Sequence, residues 1–319
     1  MISVTDIVSR IARKVTPKPV RNILRPYWHG VVMMPTEIAF RRARKDLLVF
    51  GSPLSREEKM WLERVSLRLH PNDGMYDKSV GSSAHAAAQL YLSAGLSACR
   101  CIDKALSHSH KKASVQNILD FPCGYGRILR FLEARFPNAD IVAGEIDPIA
   151  LEFCKRAFSV KTVTSNESFS KVPLPCQFDL IWSGSLVTHL DERRTCDLLR
   201  FFYEHLAPEG LCLFTSHGRT TVEWIQDGKW TYGLSASSQR KLLSEFHEHG
   251  YGYVDYESTV GYGISVVCHD RMLEATRSIG QWIESVFLEH GWCNQHDVYG
   301  FTKSDAGCPA ARSNVPPMH

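Results

Sequence analysis

The chain has 319 residues, of which 44% are hydrophobic and 22% are charged, so it is long enough and apolar enough to bury a large core. It contains no run of about 18 uncharged apolar residues, and its N-terminus lacks the apolar stretch and cleavage site of a signal peptide. We therefore expect a cytoplasmic, globular protein of enzyme size. The ten cysteines are scattered and form no paired CxxC units, which predicts reduced thiols and no bound metal.

Charge is unevenly distributed along the sequence. The whole chain carries +3, but residues 1–60 hold twelve Lys or Arg against five Asp or Glu, which gives this segment +7 and leaves −4 for the remainder. Such a surplus favours contact with an acidic partner, such as a phosphorylated substrate, a membrane surface or a nucleic acid. The alternative is a basic face that only meets solvent.

Residues 1–113 are predicted to form a helical, basic region on the cap and substrate side of the molecule. Apolar residues in Ile2–Val15 recur at helical spacing beside Arg and Lys, which predicts an amphipathic helix that packs on its own protein or rests peripherally on a membrane. Pro17 ends this helix. Helix-compatible sequence follows at 36–69, and an alanine-rich run at 82–106 predicts another helix.

From about residue 114, short apolar runs alternate with helical patterns. Predicted strands cover 116–121, 140–145, 160–164, 178–183 and 210–215. Predicted helices cover 126–136, 148–158, 191–206 and 269–279. Alternation of this kind indicates a parallel sheet that is covered by helices on both faces.

The remaining sequence departs from this alternation. Residues 218–265 are rich in Tyr, Gly, Trp and Ser and contain one helical stretch at 235–249, which predicts an insertion after the fifth strand. Two strands at 281–289 and 296–302 flank a turn and predict an antiparallel hairpin. The tail at 304–319 is expected to be disordered.

The strongest local motif is Asn117–Arg127, in which an apolar strand ends in Asp120 and continues through a glycine turn into a helix. Gly124 and Gly126 allow the backbone to approach a ligand closely. A dinucleotide fingerprint would need a third glycine where Leu129 stands, so NAD is disfavoured. An acid at the mouth of the turn suits an ammonium better than a pyrophosphate, which favours S-adenosylmethionine (SAM), a ligand with an amino-acid head group and no phosphate.

The second predicted strand also ends in an acid. Glu145 stands where a carboxylate can accept hydrogen bonds from ribose hydroxyls. Ile146, which follows it, can cover the adenine face, and Ser165 or Asn166 after the third strand can bond the adenine edge. These positions predict a nucleoside site across the ends of the first three strands.

Residues 114–216 resemble the core of class I SAM-dependent methyltransferases. The resemblance rests on Asp120–Gly126 as the first motif, Gly144–Glu145 as the second-strand acid, Phe178–Ser183 as the fourth strand and Leu206–Gly210 as the turn before the fifth strand. It implies an α/β fold with a Rossmann-like, doubly wound sheet, mostly parallel, whose C-terminal antiparallel hairpin adds the reversed last strand. It also implies SAM as cofactor, S-adenosylhomocysteine as product and a methyltransferase domain over 114–303. Pro122 stands where this family usually has its first glycine, so the head-group contacts there are an open question.

These arguments give a set of candidate site residues. The predicted cofactor-binding residues are Tyr76, Asp120, Phe121, Pro122, Cys123, Gly124, Tyr125, Gly126, Glu145, Ile146, Asp147, Ser165, Asn166 and Ser183. The predicted acceptor-binding residues are Arg127, Trp182, Trp230 and Tyr262. The candidate general bases are His189 and His217, because a histidine can take the proton that an oxygen acceptor loses.

Several of these residues also have ordinary structural interpretations. His189, just before the helix N-cap Asp191, can simply pack at a loop–helix junction. Arg127 can face the SAM carboxylate, an acidic acceptor or a surface salt-bridge partner. The aromatic residues of the insertion can stack on a sugar or aromatic ring, or form a small core of their own.

The expected reaction is O-methylation of a small molecule or a glycan, with a sugar intermediate ahead of an aromatic metabolite. The basic segment 1–60 leaves an RNA or protein methyltransferase as the enzymatic alternative, although the sequence contains no recognisable nucleic-acid-binding module. A non-catalytic SAM-binding partner subunit is the non-enzymatic alternative.

Overall fold

The computed structural model describes residues 36–49, 53–78, 83–108, 115–257 and 259–303. The amphipathic helix predicted for Ile2–Val15 and the tail at 304–319 lie outside these ranges. Within them, no helix is long and apolar enough to cross a membrane. The same ranges contain no group of three or more His, Cys, Asp or Glu residues placed to hold a metal ion.

In the described part of the chain, four helices precede the sheet. They are α1 (36–49), α2 (Arg56–Arg64), α3 (Gly74–Lys78) and α4 (Ala84–His108). Ser55 and Glu58 form a capping box that starts α2 by satisfying two backbone N–H groups. The helices share a core with α5 of the sheet region, and at Gly95 of α4 a Cβ would overlap the ring of Phe131. The helical region is therefore packed directly onto the sheet domain.

Nine strands form two sheets. Their bounds are β1 (Asn117–Asp120), β2 (Asp140–Glu145), β3 (Lys161–Thr164), β4 (Phe178–Ser183), β5 (Leu206–Ser216), β6 (Tyr251–Tyr256), β7 (Thr259–Val267), β8 (Trp282–Trp292) and β9 (His296–Lys303). The large sheet has the order β3-β2-β1-β4-β5-β9-β8, in which β1 to β5 are parallel and β9 runs antiparallel to both β5 and β8. This confirms the predicted Rossmann-like sheet with its reversed terminal hairpin.

Six helices accompany the strands: α5 (Leu129–Arg135), α6 (Pro148–Ala157), α7 (Glu192–His205), α8 (Arg219–Gln226), α9 (Ala236–His249) and α10 (His269–Arg277). Asp147 caps α6 through the backbone N–H of Ile149 and is followed by Pro148, which suits the first helical turn. Asp191 caps α7, as its position in the sequence predicted. Short 3₁₀ turns lie at Phe169–Lys171 and Val187–His189.

The side chains of the central strands alternate between two cores. Leu119, Cys212 and Phe214 belong to the core on one face of the large sheet, whereas Ile118 and Leu213 belong to the core on the other. Because successive side chains of a strand point to opposite faces, both faces must be covered. This explains why the sequence shows continuous apolar runs here.

The insertion predicted at 218–265 contains more regular structure than the sequence suggested. It holds two helices, α8 and α9, and the β6–β7 hairpin, whereas only α9 was predicted. Its core is mainly aliphatic and includes Val222, Leu242, Ile264 and Val266. At Gly252 of β6 a Cβ would overlap the backbone of Leu242, so this glycine permits the hairpin to press against α9. The insertion is therefore a small subdomain with its own core.

Candidate cofactor and acceptor site

Two buried polar atoms mark the carboxyl ends of the adjacent parallel strands β1 and β4. Asp120 is the last residue of β1 and is 1% exposed, and Ser183, the last residue of β4, is fully buried. Neither Asp120 Oδ2 nor Ser183 Oγ has a hydrogen-bond partner in the described part of the chain. Because an unsatisfied buried polar atom costs about 1–3 kcal/mol, this edge of the sheet is prepared for a ligand.

Asp120 has the electrostatics of a cation site. Burial and the neighbouring Glu145 carboxylate raise the pKa of Asp120 well above its usual range, and the nearby Arg127 guanidinium opposes them. An ammonium group placed at Oδ2 would satisfy the atom and stabilise the charged carboxylate. The amino-acid end of SAM carries such a group, so the residue fits the cofactor that the sequence predicted.

The glycine turn is built so that one side stays open. Gly124 and Gly126 have φ angles of 52° and 76°, which glycine adopts without strain. A Cβ at Gly126 would overlap the ring of Phe158, whereas one at Gly124 would meet no atom within 4 Å. The turn is held by hydrogen bonds from Phe121 N to Trp182 O and from Cys123 N to Gly144 O, both in neighbouring strands. The open side at Gly124 is where a ligand can approach.

Other side chains predicted at this turn have packing roles. Phe121 is buried against Phe169, Phe201 and Phe202. The buried Cys123 thiol lies 3.9 Å from the Cys154 sulfur. Phe121 and Cys123 could therefore meet a cofactor only through their backbone, and Pro122 contributes no N–H at all.

Glu145 connects the turns that follow β1 and β2. Its Oε2 accepts from Gly124 N at 2.8 Å, and its Oε1 accepts from Ile146 N and Asp147 N at 2.7 and 3.0 Å. These bonds use three of the roughly four acceptor positions of a carboxylate, so one ribose hydroxyl can be added without breaking any of them. A hydrogen bond from the second ribose hydroxyl would require the Glu145 carboxylate to release one of these backbone N–H groups.

The predicted adenine contacts surround Glu145. Ile146 is 53% exposed, as a residue that covers a ligand ring would be. The Asp147 carboxylate accepts from the Tyr125 hydroxyl at 3.0 Å, and Ser165 N donates to Glu145 O at 2.9 Å. Asn166 uses its Oδ1 to cap the Ser168 N–H, which leaves its NH₂ group for an adenine edge. The ends of β2 and β3 thus bring these residues together.

His189 and His217 lie at the opposite side of the sheet edge, after β4 and β5. His189 Nδ1 is 2.7 Å from the carbonyl of Gly263, and His217 Nδ1 is 3.2 Å from the carbonyl of Ser265. A carbonyl only accepts, so each Nδ1 must carry the hydrogen, and in the neutral ring Nε2 carries the lone pair. Burial lowers the pKa of His217 to about 3, and the neighbouring His189 contributes.

A third histidine, His296, joins this group although the sequence analysis assigned it no role. Its ring centroid lies 4.9 Å from that of His217 and 5.1 Å from that of Trp292. His296 Nδ1 is 3.3 Å from Thr215 Oγ1, which already accepts from Ser185 N at 2.8 Å. Because Nδ1 is the one acceptor found for the Thr215 hydroxyl hydrogen in the described part of the chain, we assign the hydroxyl as the donor, which places the hydrogen of a neutral His296 on Nε2. Burial, His217 and Arg127 all lower the pKa of His296.

Aromatic residues of the insertion surround the histidines. The ring of Tyr262 stacks on that of His189 with centroids 4.6 Å apart, and Tyr232 lies 4.9 Å from His217. Trp230 packs edge to face on Tyr232 and is 58% exposed, while Tyr262 is 43% exposed. The two aromatic residues predicted to bind an acceptor therefore lie near the candidate bases and face solvent.

One prediction on the acceptor side, that of Trp182, needs correction, and for Arg127 the alternative of a surface salt bridge is excluded among the described residues. Trp182 is 1% exposed and packs edge to face on Trp292, so its side chain belongs to the core and does not offer a surface to an acceptor. Arg127 forms no surface salt bridge with any described residue. Its guanidinium instead lies over the Trp292 ring, 5.0 Å from the centroid.

The helical region reaches the glycine turn through His70, whereas the known ring contacts of Tyr76 lie within the helical region. Tyr76 packs on Phe40 and Tyr91. His70 stacks instead on Tyr125 of the turn, with centroids 4.9 Å apart. Cofactor binding by Tyr76 stays a prediction, and His70 adds a second ring of this region beside the turn.

Arg130 also connects the helical region to the glycine turn. This fully buried side chain donates to Gly126 O at 2.8 Å and to Ser66 O and Arg68 O at 2.8 and 2.9 Å. It also lies 3.4 Å from the hydroxyl of Tyr91, which in turn donates to Asp73. Backbone carbonyl oxygens thus accept most of the hydrogen bonds of this buried cation, and the Asp73 carboxylate is linked to it through the Tyr91 hydroxyl.

An open cavity in the described part of the chain lies elsewhere. It has a volume of about 530 Å³ and is lined by Glu192, Glu245, His249, Tyr251, Tyr253 and Arg271. Its Arg271 is already paired with Glu192. We place the functional site at the strand ends, because the unsatisfied Asp120 and the histidines lie there.

Comparison with known proteins agrees with this geometry. Residues 118–210 match a family model described as a methyltransferase domain. The chain is 32% identical over 119 residues to malonyl-[acyl-carrier protein] O-methyltransferase from Bacillus cytotoxicus, a match that covers 37% of this chain and 41% of that protein. The enzyme of the same name from Bacillus cereus is 24% identical over 131 residues, covering 38% and 48%. The chain thus spans less than half the length of either curated relative.

Solved structures of the same kind also align. One is an SAM-bound amino pentose methyltransferase from Micromonospora echinaspora, with a TM-score of 0.48 and 14% identity, covering 74% of this chain and 98% of that chain. The matched family, the strand order and the fit of Asp120 and Glu145 to the cofactor agree. Residues 118–210 of this chain form a class I, SAM-dependent methyltransferase domain.

Proposed function

We propose that the protein transfers the methyl group of SAM to a hydroxyl oxygen of a small molecule or a glycan. The observation that carries this proposal is the pair of histidines beside the cofactor edge, each held with Nδ1 on a backbone carbonyl. A neutral imidazole with its lone pair at Nε2 accepts a hydrogen bond from a hydroxyl. The word O-methyltransferase in the names of the two curated relatives supports oxygen as the acceptor atom.

The residues of the chain divide the work between binding and proton removal. Bound SAM supplies an electrophilic methyl group on its sulfonium. Asp120 and Glu145 hold the two ends of the cofactor, which fixes the direction along which a nucleophile must approach. His217 Nε2 makes no hydrogen bond within the described part of the chain. It accepts a hydrogen bond from the hydroxyl of the methyl acceptor and so orients the hydroxyl oxygen.

The low pKa of His217, about 3, determines when the proton moves. A base this weak does not ionise a hydroxyl before the reaction. Once the oxygen bonds to the methyl group it becomes far more acidic, and even a weak base then takes the proton. His217 is therefore proposed to position the hydroxyl first and to accept its proton late.

We further propose that the insertion forms much of the acceptor pocket. Trp230 and Tyr262 offer exposed aromatic faces next to His217 and His189, and such faces stack on sugar rings as well as aromatic rings. Loops at the carboxyl ends of the strands are also where folds of this class hold their ligands. These two features support a ring-containing acceptor.

The test combines binding with a search for the acceptor. Purified protein is titrated with SAM by calorimetry and then incubated with SAM and panels of nucleotide sugars, glycans and phenols. Mass spectrometry should reveal an acceptor that gains one methyl group while S-adenosylhomocysteine accumulates, and His217→Gln should slow this reaction. Binding of SAM without methylation of any panel, including RNA and protein panels run in parallel, would indicate a non-catalytic SAM-binding subunit. Methylation of RNA or protein alone would overturn the proposed acceptor class.

A further inference from the structure

Arg127 is a half-buried cation that makes no side-chain hydrogen bond or ion pair within the described part of the chain. Its guanidinium lies over the Trp292 ring at 5.0 Å from the centroid. Within the described ranges of the chain, none of its five N–H donors makes a hydrogen bond and no carboxylate lies within ion-pair distance. Partial burial removes water from the charge, so an anion that fits there would gain affinity.

Arg130, three residues further on, shows that this lack of partners is specific to Arg127. The Arg130 side chain is fully buried, and its guanidinium lies close to backbone carbonyls and the Tyr91 hydroxyl. The two arginines share one turn and differ in what their side chains meet. Arg130 has the contacts of a structural residue, whereas Arg127 has those of a binding residue.

Arg127 lies between the two halves of the site. On one side, its positive charge opposes the rise in the pKa of Asp120. On the other side, it helps to lower the pKa of His296, whose ring packs on the same Trp292 indole that Arg127 covers. His296 Nε2–H therefore offers a second donor next to the guanidinium. The Trp292 indole thus contacts two groups with N–H donors, the Arg127 guanidinium and the His296 ring.

We propose that Arg127, supported by His296, binds a carboxylate group at this edge of the sheet. A planar guanidinium forms two parallel hydrogen bonds with a carboxylate, which a lysine in its place could not do. The inference rests on the proposed function and names two sources of the carboxylate. One is the amino-acid end of SAM, whose ammonium would lie on Asp120 while its carboxylate lies on Arg127. The other is an acidic group on the acceptor.

Paired titrations separate these sources. SAM and decarboxylated SAM, which keeps the amine but lacks the carboxylate, are titrated into the wild type and into Arg127→Met, which keeps an apolar stem on Trp292. If the carboxylate is that of SAM, the wild type prefers SAM by about tenfold or more, because a charge-assisted hydrogen bond is worth about 1.5–3 kcal/mol. Arg127→Met then binds SAM more weakly and decarboxylated SAM as well as the wild type does, so the preference is lost. Arg127→Lys should keep only part of it.

Malonate serves as the probe for an acceptor carboxylate. It is titrated into the wild type and Arg127→Met, both with S-adenosylhomocysteine and without it. Malonate binding to the wild type that is lost in Arg127→Met, together with unchanged binding of both cofactor forms, assigns the site to the acceptor.

The control is Arg156→Met, which removes an exposed ion-paired arginine from α6 and should change neither titration. Thermal melts check that each variant is folded, and Arg127→Lys carries the test if Arg127→Met does not fold. Binding of SAM, decarboxylated SAM and malonate unchanged by Arg127→Met overturns the carboxylate site. Failure of the wild type to bind SAM overturns the proposed function instead, and the malonate titration still tests Arg127.

Discussion

His189 and His217 donate their Nδ1–H groups to carbonyls that lie two residues apart on β7, those of Gly263 and Ser265. Carbonyls two residues apart point to the same side of a strand, so one edge of the β6–β7 hairpin holds both rings. The strand that fixes the histidines is thus part of the insertion. This connects the acceptor side of the site to a subdomain that lies outside the core sheet.

The tautomer and charge of His217 can be measured directly. Burial lowers its pKa to about 3, so the ring should stay neutral at pH 7 with a hydrogen on Nδ1 and none on Nε2. Long-range proton–nitrogen NMR on protein with ¹⁵N-labelled histidine distinguishes the two nitrogens, and His217→Gln assigns the signals. A protonated Nε2 at pH 7 would contradict the proposed role.

The same group makes stability depend on pH. In the unfolded chain the histidine has its ordinary pKa near 6.5, so between about pH 6.5 and 3 the unfolded state binds more protons than the folded state. Stability should therefore fall as the pH falls through this window. Urea unfolding of His217→Gln should show a weaker decline than the wild type between pH 7 and about pH 5.

The sequence predicted the central sheet well because its strands are buried on both faces and read as continuous apolar runs. It placed Asp120 and Glu145 correctly at strand ends, since the motif and the strand share one short segment. It missed β6 and β7, whose Gly and Tyr content resembles a loop. Residues such as Trp292 and His296 reach the site only through the order of strands in the sheet, and local sequence carries no such signal.

Glu145 should control SAM affinity. Glu145→Ala removes an acceptor for the ribose and releases three backbone N–H groups, so calorimetry should show at least about tenfold weaker SAM binding. Glu145→Gln keeps one carbonyl oxygen and should lose less. NAD should not bind the wild type at comparable concentrations. Unchanged SAM affinity in Glu145→Ala would move the ribose elsewhere.

Asp120 should make SAM binding sensitive to pH. Burial and Glu145 raise the pKa of the carboxyl in the free protein, whereas a bound ammonium favours the charged form, so binding releases a proton. Affinity should rise with pH, by at most about tenfold per pH unit, until Asp120 is ionised in the free protein. Titrations between about pH 5.5 and 7 keep the amine of SAM protonated. Asp120→Asn should bind more weakly and without this dependence, and a pH dependence that survives the substitution would assign it to another group.

Arg130 should be required for stability more than for chemistry. Arg130→Met leaves the Ser66 and Arg68 carbonyls without their side-chain donor and leaves Gly126 O with only the backbone N–H of residue 130, which should cost about 3–5 kcal/mol of unfolding free energy. Urea unfolding measures the loss, with Arg156→Met as the matched exposed control. A cost below about 1 kcal/mol would mean that water replaces the guanidinium easily.

Replacing Trp230 or Tyr262 by Ala should impair methyl transfer while SAM binding stays nearly intact. Trp230 packs on Tyr232, beyond the histidines as seen from the cofactor strands, so its loss should change SAM affinity by less than about threefold. Tyr262 lies closer to the cofactor strands, since the Glu145 charge adds to the effect of burial in raising the pKa of its hydroxyl. Its ring also stacks on that of His189. Tyr262→Phe keeps the ring and should retain more activity than Tyr262→Ala if stacking is what counts.

Calorimetry with SAM measures the effect of each substitution on cofactor binding, and rates with the acceptor found in the panel measure its effect on methyl transfer. Variants that lose SAM binding but keep acceptor selectivity would show that the insertion covers the cofactor and that the acceptor lies elsewhere.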